Sequence, residues 1–142
     1  MKKTQKRSEC PISRTLDLFG DKWTLLIIRD IAFKGHRFYN EFLDSDEGIA
    51  TNVLSDRLKM LETKGFLVSK KYEQLKTKKV YTLTDEGIGL IPLVLDMLVW
   101  GYKFDNSLAV QPGIIERIEN DRDNFIAEIV TALKNYDAKN FC

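Results

Sequence analysis

One segment of the chain groups polar side chains that suit contact with nucleic-acid bases. Across residues 50–64, Leu54, Leu58 and Leu61 recur at helical spacing and form one apolar face. The opposite face offers an amide for adenine, a hydroxyl for either base type and a lysine for guanine or phosphate. The pattern is equally typical of a solvated helix face, so it does not decide the function alone. The candidate contact residues are Thr51, Asn52, Ser55, Asp56 and Lys59, with Arg57 at the flank, where it could reach a phosphate or pair with an internal acid.

A second group of charges lies farther along, where five lysines surround one short polar link. Like charges this close repel one another, but they gain by releasing counterions from a phosphate backbone. The alternative is a charged strand edge that discourages aggregation. We favour phosphate contacts, because the group follows the candidate base-contact helix. The lysines are Lys70, Lys71, Lys76, Lys78 and Lys79, of which the last three are the main candidates, and Arg37 is a further candidate for a phosphate contact.

The formal charge is divided unevenly along the 142 residues. The chain carries a net charge of +1, but residues 1–83 hold 17 Lys and Arg against 11 Asp and Glu, a balance of +6. Residues 84–142 hold 5 against 10, a balance of −5. This division indicates that only the first part faces a polyanion.

The elements that position these residues are predicted from periodicity, caps and turn residues. Gly20 and Gly65 mark helix ends, and Asp21 is a helix cap. β-Branched and aromatic residues indicate two strands after Gly65. We expect helices at 10–20, 21–33, 37–43, 50–64, 84–104 and 112–136, and strands at 66–72 and 79–83.

The predicted order gives an α+β, mostly helical fold. A helix–turn–helix at 37–65 followed by a two-stranded wing at 66–83 is the winged-helix arrangement, in which the second helix enters the major groove of DNA. Residues 1–9 are expected to be a flexible basic arm, and residues 10–142 a single domain. The helices of 84–142, together with 10–20, carry more apolar surface than one small domain covers. A homodimer on an inverted-repeat operator is therefore predicted.

Several sequence blocks resemble the HxlR-type family of winged-helix regulators, which is MarR-like. They lie at 10–31, 35–42, 54–62, 65–67, 81–87 and 100–101, so the resemblance covers about residues 10–104. It implies a homodimer joined by terminal helices, which regulates genes in response to electrophiles, oxidants or small metabolites. It also implies that Cys10, in the opening Cys-Pro pair, is the sensing thiol. Residues 75–79 depart from the family's proline-containing approach to the second strand.

The chemistry of Cys10 is compatible with sensing but leaves alternatives. A thiol at a helix N-terminus near Lys6, Arg7 and Arg14 is favoured as thiolate. A free cysteine can equally be an inert apolar residue, and Cys142 is a bystander at the chain end. In the first alternative, a small molecule binds between the dimer helices. In the second, a winged-helix module binds protein and not DNA. The pocket walls in the first alternative would be Trp23, Trp100 and Tyr102.

Other classes of function have little support in the sequence. Residues 87–100 are apolar, but Pro92 and Asp96 interrupt them and the run is short for a membrane span. With no signal peptide either, we expect a cytoplasmic protein without membrane contact. Two cysteines and one histidine, His36, indicate no metal site, and no catalytic motif occurs. We therefore expect neither an enzyme nor a cofactor.

Overall fold

The computed structural model describes residues 6–72 and 75–135, without the side chains of Leu75 and Lys76. Its element order confirms a mostly helical α+β fold in which a helix–turn–helix precedes a two-stranded antiparallel wing. The elements are α1 Pro11–Phe19, α2 Thr24–Lys34, α3 Tyr39–Leu43, α4 Thr51–Thr63, β1 Leu67–Tyr72, β2 Leu75–Leu83, α5 Asp85–Ile88, α6 Ile91–Phe104, α7 Ile114–Asn120 and α8 Arg122–Lys134.

Helix α2 is the centre of the fold, as its nearly continuous apolar sequence predicts. Ile27, Ile28 and Ile31 are buried, and α2 contacts α4, α6 and α8. The carboxylate of Asp21 accepts hydrogen bonds from the backbone nitrogens of Trp23 (2.9 Å) and Thr24 (3.0 Å). Asp21 thus satisfies donors of the first turn, although the helix itself begins three residues later.

Helix α4 buries the face that the leucine spacing predicts. Leu54, Leu58 and Leu61 are at most 2% exposed. The helix ends in a Schellman motif: Phe66 N donates to Leu61 O (2.8 Å) and Gly65 N donates to Glu62 O (3.1 Å). Gly65 has a φ of 87°, which a residue with a Cβ rarely adopts. Its predicted role at the helix end is confirmed.

The wing is longer than predicted. β2 begins at Leu75 and not at residue 79, and it pairs antiparallel with β1 from Tyr72↔Leu75 to Leu67↔Leu83. The polar, lysine-rich residues before 79 have low strand propensity, which makes them look like a loop. In the structure, Leu75 pairs with Tyr72 and Lys79 with Lys71, so residues 76–78 lie in an irregularity of the ladder where the register shifts.

The base of the wing is fastened to the end of α4 and to the start of α5. Thr84 Oγ1 donates to Gly65 O (2.5 Å), and Thr84 N donates to Phe66 O (3.1 Å). Gly87 N in turn donates to Thr84 Oγ1 (3.2 Å). A Cβ at Gly87 would collide with the carbonyl oxygen of Phe66, so this close approach requires glycine. We call this set of contacts the wing joint.

Three predicted helix boundaries are wrong. The third helix begins at Tyr39 and not at residue 37, because Phe38 is extended and bridges to Val80. The expected helix 84–104 is two helices, α5 and α6, separated at residues 89–90. Pro92 lies in the first turn of α6, where its missing N–H costs nothing. The expected helix 112–136 is divided at Asp121, whose φ of −145° is not helical, and residues beyond 135 lie outside the described part.

Helices α7 and α8 fold back onto their own chain. Ile118, Phe125 and Ile129 are at most 2% exposed and belong to the common core. Arg122 fastens them to α6 through Pro92 O (2.9 Å) and Asp96 Oδ1 (2.9 Å). This part of the predicted excess of apolar surface is therefore covered within the chain.

Other apolar side chains lie exposed along α1, α6 and the segment that follows α6. Trp100 is 69% exposed and Phe104 is 79% exposed. Their rings are stacked, with 5.2 Å between the ring centroids. Burial of these side chains against a partner would be favourable, since exposed apolar patches mark interaction sites. We call the group the apolar seam; its members are Ile12, Leu16, Leu93, Met97, Trp100, Phe104 and Leu108.

The segment Asp85–Phe104 is long and apolar enough to be a membrane-span candidate, with a mean hydropathy of 1.4. It does not form one straight span, because the turn at residues 89–90 interrupts it. Ile91 and Leu95 are buried in the core of the fold. A helix that covers a core passes the same test, so this is weak evidence for membrane insertion.

Candidate nucleic-acid interface

The predicted contact face of α4 is open to solvent. Thr51, Asn52, Ser55 and Lys59 are all exposed, and Ser55 lies three or four positions from each of the others, so they share one side of the helix. Asp56, expected on the same face, is half-buried. The exposed face therefore carries hydroxyl, amide and ammonium groups without a carboxylate in its first two turns.

Tyr39 of α3 holds the first turns of α4. Its phenolic oxygen lies 3.0 Å from the carbonyl oxygen of Thr51 and 3.2 Å from Ser55 Oγ. Sequence reasoning missed this residue, because the contact depends on the angle between two helices. The available signal was a tyrosine at the start of the first helix of the pair, since a tyrosine beside a polar helix commonly uses its hydroxyl.

Arg57 pairs with acids of its own chain. Its Nε lies 3.0 Å from Asp21 Oδ2, and its guanidinium also pairs with Asp56. Of the two roles that the sequence left open, the structure shows the internal one. Burial raises the pKa of Asp21, but hydrogen bonds from Thr24 and Arg57 outweigh it and hold the pKa below its ordinary value. Arg57 thereby links α4 to the cap of α2.

A groove of about 680 Å³ separates α4 from the wing. Among the described residues that line this groove, Glu62 is the only acid. Its carboxylate accepts hydrogen bonds from Ser69 Oγ (2.9 Å) and Ser69 N (3.3 Å). This carboxylate is thus fixed against β1. The groove brings together two sets of predicted contact residues, and its walls include Tyr39, Ser55, Lys59, Thr77, Lys78 and Lys79.

The wing concentrates positive charge along both strands. Lys71 and Lys79 are directly opposite each other in the ladder, and both are exposed. Like charges at opposite positions destabilise a strand pair. The ammonium of Lys78 lies 5.3 Å from the ring centroid of Phe38, which itself packs edge-on against Tyr72. An anion beside the wing would offset this repulsion. The side chain of Lys76, another predicted contact, lies outside the described part.

Arg37 does not join the α4 face. It is half-buried and lines a separate recess of about 290 Å³ with Leu83, Asp85 and Lys134. Its backbone binds the wing, because Tyr81 N donates to Arg37 O (2.8 Å). Arg37 therefore does not line the groove between α4 and the wing, although its guanidinium carbon lies 6.0 Å from the ring centroid of Phe38, which does.

Cys10 is exposed and is the N-cap residue of α1. Its backbone nitrogen donates to Ser8 Oγ (3.2 Å). Two of the three nearby cations are engaged elsewhere: Lys6 pairs with Glu9 (2.7 Å) and Arg7 with Asp17 (2.6 Å). The bond from Arg7 lowers the pKa of Asp17. Cys10 lies at the exposed N-terminal end of α1, so its thiol is not part of the core of this chain. Cys142 lies outside the described residues.

An apolar groove of about 750 Å³ runs between α1, α2, α6 and the segment after α6. Tyr102 lines it, as expected of a pocket wall. Trp100 does not line it and stacks on Phe104, and Trp23 faces the ammonium of Lys22 at 4.7 Å. Its apolar walls include Leu16, Phe19, Leu26, Met97, Leu98 and Val110, and Lys22 and Arg29 also border it.

His36 lies beside a buried carboxylate rather than in a cleft. Its Nδ1 is 3.8 Å from Asp30 Oδ2, too long for a hydrogen bond, and has no other partner among the described residues. Asp30 instead accepts from Arg29 Nη2 (2.7 Å), and Arg29 also pairs with Glu47 (2.9 Å). In the described part of the chain, no group of three or more Cys, His, Asp or Glu is arranged to hold a metal.

The order of elements, the exposed polar face of α4 and the basic wing define a winged-helix protein with a DNA-binding type of fold. Residues 18–108 match the HxlR-like helix-turn-helix family, and the chain belongs to that family. The sequence resemblance is thus confirmed, and the family match extends to 108. Helices α7 and α8 follow the matched region.

Relatives and solved structures agree with this assignment. The uncharacterized HTH-type transcriptional regulator sll1512 of Synechocystis sp. is 35% identical over 88 residues, which are 62% of this chain and 64% of that protein. The match thus spans less than two thirds of that relative. A MarR-family protein of Porphyromonas gingivalis has 32% identity and a TM-score of 0.58, covering 72% of this chain and 99% of its own. The redox regulator HypR in its reduced form has 32% identity and a TM-score of 0.58, and the match covers 66% of this chain and 92% of the HypR chain.

Proposed function

We propose that this protein is a transcriptional regulator that binds double-stranded DNA sequence-specifically as a homodimer. The observation that carries the proposal is the exposed face of α4 beside the lysine-rich wing, with one groove between them. Such a pair suits a helix in the major groove and a hairpin on the adjacent backbone. The protein would act in the cytoplasm, without a cofactor and without catalysing a reaction.

The side chains divide into base contacts and phosphate contacts. Asn52 is suited to a bidentate pair with adenine, and Ser55 and Lys59 follow it along the groove-facing side of α4. Lys78 and Lys79, with Lys76, would hold phosphates and supply affinity without base preference. Thr51 begins the helix and would be a further contact to the DNA backbone. Arg57 would not contact DNA itself but would hold the orientation of α4 through its pair with Asp21.

The test is selection of duplexes from a random pool by the purified protein. We expect enrichment of an inverted repeat whose half-site centres lie about 10 bp apart, or a multiple of that distance. Asn52→Ala should lower affinity for the selected duplex by about 1–3 kcal/mol and relax preference at one position per half-site. Asn120→Ala, at an exposed site on α7, is the matched control. Failure to enrich any duplex would favour a winged-helix module that binds protein.

The homodimer is proposed to form through the apolar seam. Its exposed aromatic and aliphatic side chains lie on α1 and α6, and most of the apolar side of α7 and α8 is already buried within the chain. Met97→Glu should give a monomer in light scattering, since it places a charge where the partner would pack. Val68→Glu introduces the same charge at another exposed apolar residue and should leave the dimer intact. A dimer that persists in Met97→Glu would remove the seam from the interface.

We further propose that Cys10 is the site at which an electrophile acts. The supporting observations are its exposure at the start of α1, two residues before Ile12 of the seam, and the similarity to HypR, a redox regulator. With N-ethylmaleimide, the sulfur would bond to one alkene carbon and the thiol hydrogen would end on the other. An adduct beside the seam would alter how the two subunits meet and hence the spacing of the α4 helices.

The thiol proposal is tested on operator affinity before and after N-ethylmaleimide. Wild type and Cys142→Ser should change affinity, whereas Cys10→Ser should not. A response in Cys10→Ser equal to that of wild type would assign the effect elsewhere. The second candidate is then a small apolar effector in the groove of about 750 Å³, since the size of that groove is that of a ligand site.

A further inference from the structure

We propose that Tyr39 fixes the direction of the hydrogen bond made by Ser55, so that Ser55 reads DNA only as an acceptor. The base that it selects is then one with an amino group in the major groove, adenine or cytosine. This inference rests on the proposed function, because it requires α4 to lie in the major groove. It assigns a positioning role to Tyr39 and a base preference to Ser55.

The argument begins with the number of protons available at the contact. A tyrosine hydroxyl has one proton, and a carbonyl oxygen can only accept. Tyr39 must therefore donate that proton to Thr51 O, which lies 3.0 Å away. The second contact, 3.2 Å between Tyr39 Oη and Ser55 Oγ, is then left with a single possible donor. Ser55 donates its own proton to Tyr39.

The consequence lies on the exposed side of Ser55. With its proton engaged, the hydroxyl presents only lone pairs toward the groove between α4 and the wing. In the major groove, the N6 amino group of adenine and the N4 amino group of cytosine are the donors, whereas guanine N7 and O6 and thymine O4 are acceptors. A serine whose hydroxyl proton is not engaged can bond to either a base donor or a base acceptor. A serine held by Tyr39 would have to break that bond before it could donate to guanine or thymine.

The experiment measures base preference at every position of the half-site selected by the wild-type protein. Affinities are compared for duplexes that carry each of the four bases on one strand. At one position, wild type should favour adenine or cytosine over guanine and thymine by about fivefold per half-site, the value of one hydrogen bond. Inverting that base pair should therefore weaken binding.

Four variants separate this role from a structural one. Ser55→Ala should abolish the preference, and Tyr39→Phe should reduce it to less than about twofold by freeing the serine proton. In the double variant, Tyr39→Phe should add nothing to Ser55→Ala. A general loss of α3–α4 rigidity would lower affinity for all four bases alike and would leave their ratio unchanged. Thr131→Val, at an exposed site on α8, is the control for loss of a side-chain hydroxyl.

The outcomes are distinguishable from those of the proposed function. If no duplex is enriched by the wild type, the proposed function fails. If duplexes are enriched but Tyr39→Phe keeps the wild-type ratio, the inference alone is overturned. It is also overturned if the Ser55-dependent position prefers guanine or thymine, or if no position depends on Ser55.

Discussion

Neutralising the wing lysines should change the salt dependence of DNA binding by a calculable amount. In the double variant Lys78→Gln/Lys79→Gln, two exposed ammonium groups on one strand are lost. Each phosphate contact contributes about 0.9 to the slope of log affinity against log salt, so the two lysines contribute about 1.8 per subunit and about 3.6 for the homodimer. Between about 50 and 200 mM salt, the wild-type dimer should lose roughly 150-fold more affinity than the variant. With Lys76→Gln added, the slope should flatten by roughly two to three units per subunit.

The assay is a fluorescence anisotropy titration at several salt concentrations, on the selected duplex and on a scrambled one. The variant should lose a similar factor on both duplexes, because phosphates carry no sequence information. Its melting temperature should not fall, since Lys71 and Lys79 repel each other across the ladder in the wild type. Lys103→Gln/Lys134→Gln makes the same charge change on α6 and α8 and should keep the wild-type slope. An unchanged slope in the wing variant would refute the reasoning.

Three further predictions concern stability. Phe125→Ala should lower the free energy of unfolding by about 3–5 kcal/mol in urea titrations, because that ring is 1% exposed, and the half-buried Ile126→Ala should cost less. The pKa of Asp21 is lowered in the folded protein, so the contribution of this carboxylate to the free energy of unfolding is present at neutral pH. That contribution is lost as the pH falls through the lowered pKa, below about 4. The free energy of unfolding of Arg57→Met, measured at pH 7 and pH 3, should therefore depend less on pH than that of the wild type. Ending the chain at Asp105 should cause aggregation in light scattering, since α8 covers α2; a soluble, DNA-competent product would contradict this.

The local part of the fold could be predicted because single helices carry their own signals. The spacing of Leu54, Leu58 and Leu61 predicts both the buried face of α4 and the side chains left outside. Gly65 predicts where the helix ends, because a positive φ there needs no partner from elsewhere in the chain. Each of these signals lies within one helix or just after its end.

What could not be predicted depends on contacts between distant segments. The start of β2 at Leu75 follows from its pairing with Tyr72 of β1, across a shift of register that no local sequence pattern predicts. The hydrogen bond between Ser55 and Tyr39 and the ion pair between Arg57 and Asp21 each join residues that are 16 or more positions apart. Their existence depends on how α3 and α2 cross α4. The role of each hydroxyl or guanidinium in the candidate site is therefore visible only in the folded chain.

The wing joint has a consequence for how an inducer could act. Through their contacts with Gly65 and Phe66, Thr84 and Gly87 connect the end of α4, the base of the wing and the start of α5. The base-contact helix and the wing would then move as one rigid body when α6 shifts against a partner. Such motion changes the distance between the two α4 helices of the dimer, but it does not change the contacts that each α4 helix makes within its half-site. An inducer acting through α6 should therefore alter the preferred spacer length of the operator, and duplexes with an inserted or deleted central base pair should regain binding to the induced protein.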